Sequence, residues 1–180
     1  MKKPLTAAFT LLLGATAISA HAADGMVKIT GSVLATTCKV DGGKVDTGPQ
    51  GSLSAINVEL EPVSKSSLDA PGKVAGGKTF KIALSGCAAK TAQVLFETMG
   101  TVDTETGNLK NNGDAQNVQV GLYDMNDNRI VIGQDSTPHT ITLSKDGNGS
   151  ASFKAYYVAT GGAATPGSVD SSAIFSLKYD

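Results

Sequence analysis

The chain has 180 residues, and its 15 Lys and Arg against 16 Asp and Glu give a formal net charge of −1. This near-neutral balance argues against a nucleic-acid-binding protein, which needs a clustered basic face. Glycine is frequent, at 21 residues, and tryptophan is absent, a composition that favours short strands joined by many turns.

The first 22 residues have the features of a secretory signal peptide. Lys2 and Lys3 form a basic start, residues 5–18 are apolar, and Ala20–Ala22 places small residues before a cleavage site. Cleavage after Ala22 leaves 180 − 22 = 158 residues, and cleavage after Ala23 is the alternative. The loss of two lysines gives 13 basic against 16 acidic residues, a net charge of −3. We therefore expect an exported protein whose remaining length suits one domain.

The mature chain opens with a strand pattern of period two. Small or apolar side chains take one side, at Gly25, Val27, Ile29, Gly31 and Val33. Polar side chains take the other side, at Asp24, Lys28, Thr30 and Ser32. Chain ends usually fray, so this strand either pairs within its own sheet or adds to the exposed sheet edge of another molecule.

The only two cysteines are Cys38 and Cys87. In an exported protein a disulfide is the default expectation. Closing a loop of about 50 residues would stabilise the fold by roughly 4 kcal/mol in the chain-entropy model. The alternative, two free thiols that bind a metal, lacks a neighbouring histidine as a further ligand.

The rest of the chain is predicted to alternate between strands and turns. Strands are predicted at 53–60, 78–86, 93–98, 118–123, 129–132, 140–143, 152–159 and 173–179. Loops are predicted at 64–77, 100–116 and 161–168, with turns at 126–128 and 146–149. No helix is predicted beyond the signal peptide. The short, regularly spaced strands indicate an all-β sandwich of immunoglobulin type, in a variant topology because no Trp can pack against the disulfide.

Two motifs have the spacing of ligand sites but are better explained as turns. Residues 72–79 satisfy the phosphate-loop pattern, yet a loop precedes them and a strand follows, whereas the site needs a strand and then a helix. Asp124, Asn126 and Asn128 have the spacing of a calcium loop, but Arg129 stands where glycine is required. Neither nucleotide nor calcium is expected, and no cofactor is predicted.

The sequence offers few candidate catalytic residues. His139 is the only histidine after the signal peptide, and we predict that it is an ordinary surface residue. The sequence contains no nucleophile-elbow motif and no set of nitrogen and sulfur ligands for zinc. We therefore predict that the protein is not an enzyme.

Four features together resemble the structural subunits, or pilins, of bacterial chaperone–usher fimbriae, most closely the type 1-like major subunits. They are the signal peptide, the alternation of residues 25–33 before Cys38, the alternation of residues 80–84 before Gly86 and Cys87, and the ending at residues 175–180. The resemblance covers essentially the whole chain.

The resemblance implies an incomplete immunoglobulin-like sandwich (pilin fold) that lacks its last strand and carries an N-terminal donor strand. Residues 1–22 would be the signal peptide, 23–31 the donor-strand extension and 32–180 the pilin domain. It also implies a groove along the core, between the first and final strands, filled first by a periplasmic chaperone. At an outer-membrane usher, the extension of the next subunit would then replace the chaperone strand.

The resemblance further implies roles for single residues. Gly25, Val27, Ile29 and Gly31 would point into a neighbour's groove, with Gly25 where only a hydrogen clears the floor. Lys28 and Thr30 would face outward. Cys38 and Cys87 would form the family's disulfide between the first and second strands. The groove wall and chaperone contact would be Ala173, Phe175, Leu177, Tyr179 and Asp180. The terminal carboxylate, on Asp180, would anchor to basic residues of the chaperone.

The expected function is that of a non-enzymatic shaft subunit of a surface fimbria that supports cell adhesion. It would pass through the periplasm and polymerise with identical or related subunits by donor-strand exchange, with no nucleic-acid partner and no host receptor on the shaft. The alternatives are a minor or tip fimbrial subunit or a carbohydrate-binding β-sandwich.

Overall fold

The computed structural model describes residues 38–46, 52–133 and 138–180. The predicted signal peptide and the predicted donor residues Gly25, Val27, Ile29 and Gly31 lie outside these ranges. The strands are β1 (Lys39–Val40), β2 (Gly43–Asp46), β3 (Ser52–Ala55), β4 (Val74–Ser85), β5 (Thr91–Phe96), β6 (Val118–Tyr123), β7 (Arg129–Ile130), β8 (His139–Thr142), β9 (Gly149–Ala159) and β10 (Phe175–Tyr179). Within this described part of the chain, no helix is long and apolar enough to span a membrane.

Two antiparallel sheets share one hydrophobic core. The larger has the strand order β1-β4-β9-β6-β7, the smaller has the order β10-β5-β8, and β2 and β3 form a separate hairpin. Every described ladder is antiparallel. The prediction of an all-β, immunoglobulin-like sandwich is confirmed.

Alternation along the strands builds the core. In β4, Ile82 and Leu84 are almost fully buried, and in the facing sheet Val94 of β5 is equally covered. Phe80 of β4 is paired with Phe153 of β9 in the ladder, and Phe153 is 1% exposed. Because successive side chains of a strand point to opposite faces, the residues between these positions lie on the outer surfaces.

Strand β4 begins at Val74. The prediction of a loop at 64–77 was therefore wrong for residues 74–77. The pairing with β9 shifts register between Ala75 and Lys78, as at a β-bulge. Gly76 has φ +69, and a Cβ there would lie 2.8 Å from side-chain atoms of Val63. Glycines that resemble a loop in sequence therefore form a bulge inside a strand. The rest of the predicted loop includes one turn of 3₁₀ helix, Lys65–Leu68.

The predicted turn at 126–128 is confirmed. Asp124 Oδ1 accepts hydrogen bonds from the backbone N–H groups of Asn126 and Asn128, both at 2.8 Å. Asp127 adopts φ +62, a left-handed conformation that Asp tolerates in turns. The carboxylate that suggested a calcium ligand thus closes the turn itself.

The predicted strand 53–60 is divided. Only β3, Ser52–Ala55, forms a ladder, with β2. Residues 56–60 continue without ladder pairing to a described residue, and their side chains still alternate between half-buried and exposed. The prediction of a strand was wrong for residues 56–60.

Candidate strand-acceptor groove

Strand β10 forms an edge of the smaller sheet and pairs with β5 alone among the described strands. Glu97 N–H donates to the carbonyl of Ile174 at 2.8 Å, and Asp180 N–H donates to the carbonyl of Thr91 at 3.2 Å. Since bonded and non-bonded residues alternate in an antiparallel ladder, the odd-numbered residues between them turn both backbone polar groups away from β5. These residues are Phe175, Leu177 and Tyr179.

The same three residues direct their side chains toward the core. Phe175, Leu177 and Tyr179 are half-buried and pack against the main core cluster, while Ser176 and Lys178 between them are exposed. Ala173 precedes the strand and packs against the same cluster. One stretch of chain therefore combines an open main-chain edge with apolar side chains that are only partly covered.

A second open stretch, residues 56–63, runs beside β4 in the opposite direction. Its start lies near Gly42, where an added Cβ would be 3.5 Å from Ile56. Farther along, Lys78 Nζ donates to Glu61 Oε1 at 3.1 Å. The stretch ends at Val63, beside the bulge in β4.

Residues 56–63 also present partly covered apolar side chains. Ile56 and Leu60 pack against the main core cluster, and Val63 packs against a second, smaller cluster. The main chain of residues 57–63 makes no backbone hydrogen bond to any described residue. Backbone N–H and C=O groups need partners, and those of residues 57–63 find none on the backbone of the described part of the chain.

The two open stretches meet at a pocket of about 400 Å³. Its lining includes Pro62 and Val63, and also Ser168 and Val169, which precede β10. Val169 packs against both core clusters. We define the acceptor groove as the cleft walled by residues 56–63 and by residues 169–179.

Tyr157 contributes its phenol ring to the pocket. Burial raises the pKa of the Tyr157 hydroxyl above its ordinary value, and the Glu61 carboxylate raises it further. The phenol therefore stays protonated at neutral pH, and the pocket keeps a mainly apolar lining.

Aromatic rings connect the β10 wall to the core. The ring of Phe153 lies 5.6 Å from that of Phe80 and 5.2 Å from that of Phe96. Phe96 in turn lies 6.5 Å from Phe175 of the wall, in an edge-on arrangement. Such offset and edge-on pairs are the favourable arrangements of aromatic side chains, so the wall is anchored to the centre of the core.

The far end of the groove is held by Asp180. Its carbonyl oxygen accepts from the N–H groups of Lys90 at 3.3 Å and Thr91 at 3.4 Å. Its Oδ2 accepts from Gln93 Nε2 at 3.1 Å. The predicted wall residues 173–180 are thus brought together along one edge, and their contact with a chaperone stays a prediction.

The predicted disulfide is confirmed. Cys38 and Cys87 are bonded, which joins the residue before β1 to the segment after β4, and these two strands are paired. Within 38–46, 52–133 and 138–180, no group of three His, Cys, Asp or Glu residues could hold a metal ion.

His139 is not the surface residue that the sequence predicts. It is half-buried, and its ring lies 5.2 Å from Phe153 and 6.4 Å from Phe96. Residues 139, 141 and 143 lie on the same side of a strand, and Ile141 and Leu143 are core residues. This alternation could have predicted that His139 points toward the core. A proline neighbour and a polar ring concealed this period-two pattern.

The family model described as "Fimbrial protein" matches residues 27–180. The chain is 34% identical over 178 residues to the major fimbrial subunit SMF-1 of Stenotrophomonas maltophilia, covering 94% of this chain and 100% of that relative. A Burkholderia pseudomallei antigen and type I fimbria protein has a similar crystal structure, with a TM-score of 0.54 and 29% identity over 80% of this chain and 90% of the other. The P pilus rod subunit PapA shares the fold, with a TM-score of 0.57 and 21% identity over 86% of this chain and 100% of its own.

Proposed function

The chain belongs to the fimbrial protein family and is a structural subunit of a surface fimbria, and from this premise we propose that its copies polymerise by donor-strand exchange. In this process the acceptor groove of one copy receives residues 25–31 of another copy. Strand addition to an open sheet edge is an established mode of recognition, known from chaperone–pilin complexes. The role is structural, and we assign the chain no catalytic activity.

The observation that carries this proposal is the edge of β10. Phe175, Leu177 and Tyr179 offer three N–H and three C=O groups to an incoming strand. Their side chains at the same positions leave apolar surface for that strand to cover. A partner therefore needs the alternation of apolar and polar residues found at 25–31.

An antiparallel donor fits this edge, as every described ladder of the sandwich is antiparallel. Directly opposite residues of an antiparallel pair share one face. The four predicted donor positions then match the four wall positions in spacing. The proposed pairs are Gly25 with Tyr179, Val27 with Leu177, Ile29 with Phe175 and Gly31 with Ala173.

The energetics favour a persistent polymer. Burial of Val27 and Ile29 would contribute about 1.5 to 3 kcal/mol each, and each main-chain hydrogen bond about 1 kcal/mol. The inserted strand also becomes part of the core. Its release requires the sandwich to open, so we expect slow dissociation.

The resemblance to chaperone–usher pilins supplies the proposed route. Residues 1–22 would direct export and residues 23–31 would serve as donor, leaving 32–180 as the pilin domain. A periplasmic chaperone would cover the groove first, contacting Ala173–Asp180, and an outer-membrane usher would exchange it for the next subunit. The assembled fimbria would be extracellular and would not need a host receptor on its shaft.

Donor-strand exchange is tested with Ile29→Asp, because a carboxylate on the buried side of the donor would oppose insertion. Wild-type chain should give ladders of heat-resistant oligomers on a denaturing gel and fibres by electron microscopy. Ile29→Asp, or deletion of residues 23–31, should give neither. The matched control is Thr30→Asp, on the predicted outward side, which should retain both. Normal fibres from Ile29→Asp would show that residues 25–31 are not the donor.

A further inference from the structure

We propose that Glu59, on the rim of the acceptor groove, pairs with Lys28 of the incoming donor and that this charge pair selects the register of insertion. The inference rests on the proposed donor-strand exchange. It names a second copy of this chain as the partner and identifies one specificity-determining contact.

Glu59 is a charge without a described partner. It is exposed and lies between the half-buried residues Val58 and Leu60. Glu61, two residues later, forms an ion pair with Lys78, whereas Glu59 forms no hydrogen bond or ion pair with any described residue. Within the described part of the chain, no cation competes with a charge carried into the groove for this carboxylate.

Glu59 lies at the same level of the sandwich as Phe175 of the opposite wall. Because residues 56–63 run antiparallel to β4 and Glu61 contacts Lys78, Glu59 lies beside Phe80, two residues along that strand. Phe80 connects to Phe175 through the rings of Phe153 and Phe96. The two walls are thereby aligned without reference to the donor.

The proposed donor register places Lys28 at this level. With Val27 opposite Leu177 and Ile29 opposite Phe175, Lys28 falls opposite Ser176 on the outer face. Residues 56–63 flank the donor on its other side, and neighbouring strands are about 4.8 Å apart. The Lys28 ammonium can therefore reach the Glu59 carboxylate.

The other charges on this face do not replace Glu59. The Ser176 hydroxyl donates to the Glu97 carboxylate, and Glu97 lies on the far side of β10 from the donor. Lys178 is diagonal to Lys28 and has the same sign. Glu59 is thus the acidic side chain nearest to Lys28 in the proposed register.

This charge pair disfavours a two-residue slip of the donor, the register error that still keeps the donor's apolar side chains buried. A slip of one residue would turn the donor's apolar side chains outward. A slip of two residues keeps the faces correct but moves Lys28 by about 7 Å and brings Met26 or Thr30 beside Glu59. The charge pair therefore selects between registers that keep the same face buried.

The test compares rates of heat-resistant dimer formation by purified mature chain at low salt. Lys28→Glu and Glu59→Lys should each slow dimer formation about two- to fivefold, the range expected for one exposed ion pair. The double variant should recover to within about twofold of wild type, and about 0.5 M salt should remove the differences. Glu105→Lys, an equivalent change on the loop beside β6, should have no effect.

The double variant separates the charge pair from a local folding defect. It joins the Lys28→Glu donor to the Glu59→Lys groove and contains no wild-type donor or groove, so its recovery requires the exchanged charge pair. If the single variants match wild type, or if the double variant does not recover, the pair is wrong while donor-strand exchange stands. If wild-type chain forms no heat-resistant dimer, donor-strand exchange fails first.

Discussion

The acceptor groove differs from the side of the sandwich around β9, here called the closed side. The difference lies in how many neighbouring strands the described chain supplies and in how fully the apolar side chains are buried. On the closed side, β9 has a ladder neighbour on each edge, and Val120, Leu122 and Phe153 are at most 5% exposed. On the groove side, β10 pairs along one edge, and Leu177 and Tyr179 are only half-buried. Both sides carry the same alternation of apolar and polar residues, so the difference arises from the number of strand neighbours.

This comparison shows that an apolar pattern specifies a buried face but not the molecule that covers it. The pattern of β9 is completed by β4 and β6 of the same chain. The pattern of β10 calls for a further strand, which a second copy would supply. Substitutions should therefore act on folding at the closed side and on assembly at the groove.

The largest effect is expected from Leu177→Asp, which should abolish heat-resistant oligomers because it places a charge against the inserted donor. The matched control is Leu95→Asp in the neighbouring strand, since Leu95 is 41% exposed on the outer face of the same sheet. Gel ladders and electron microscopy measure both. Equal ladders from the two variants would remove the distinction between the groove and the outer surface.

Phe153→Ala should lower the free energy of unfolding by about 3 to 5 kcal/mol, because it opens a cavity among the core rings. Urea denaturation followed by circular dichroism measures the change. Ser150→Ala, at an exposed position of the same strand, should change stability by less than about 0.5 kcal/mol. A loss below about 1 kcal/mol for Phe153→Ala would contradict a tightly packed closed side.

A smaller loss is expected from Asn108→Ala. Asn108 is 2% exposed, donates to Gln119 Oε1 at 3.0 Å and accepts from Arg129 at 2.8 Å. Removing the buried amide should cost about 1 to 3 kcal/mol of unfolding free energy, because Gln119 and Arg129 each lose a hydrogen bond to it. Asn112→Ala, at an exposed position, is the control. Identical urea midpoints for the two variants would indicate that this network does not stabilise the closed side.

The smallest effect concerns acid stability. The backbone N–H of Thr106 lowers the pKa of Asp103 most strongly; burial opposes this, and the Gln119 amide lowers the pKa further. A folded-state pKa below the unfolded value of about 3.9 stabilises the fold fully above that pH, and the stabilisation is lost as pH falls through the folded pKa. Asp103→Asn should remove this contribution, so the free energy of unfolding should fall less steeply as the pH drops below about 4. Glu105→Gln, whose side chain forms no hydrogen bond with a described residue, should retain the wild-type slope.

The predictions from sequence were correct where the local pattern of residues is enough to specify the structure. Sequence reasoning identified the alternation of residues 80–84, the turn closed by Asp124 and the disulfide partners Cys38 and Cys87, because each depends on neighbouring residues or on the redox environment. It failed at His139, whose polar ring is half-buried among phenylalanines. It also failed at Val74–Gly77, where glycines form a bulge rather than a loop.

The opposite wall of the groove was missed for a different reason. The strand predicted at 53–60 included Ile56, Val58 and Leu60, but a one-dimensional pattern does not show whether a strand has a partner. Tertiary structure places this stretch beside β4, with its main chain unpaired among the described residues. The β10 wall stays a prediction, and residues 56–63 were predicted as part of an ordinary strand.

The sequence by itself determined the all-β class, the disulfide and the faces of the strands, since these follow from side-chain period, turn residues and two cysteines. Only the tertiary structure decided that β10 lies at the edge of the smaller sheet among the described strands and that residues 56–63 run beside β4. The physical reason is that hydrogen bonds between strands depend on which distant segments meet, and a side-chain pattern specifies a face but not a neighbour.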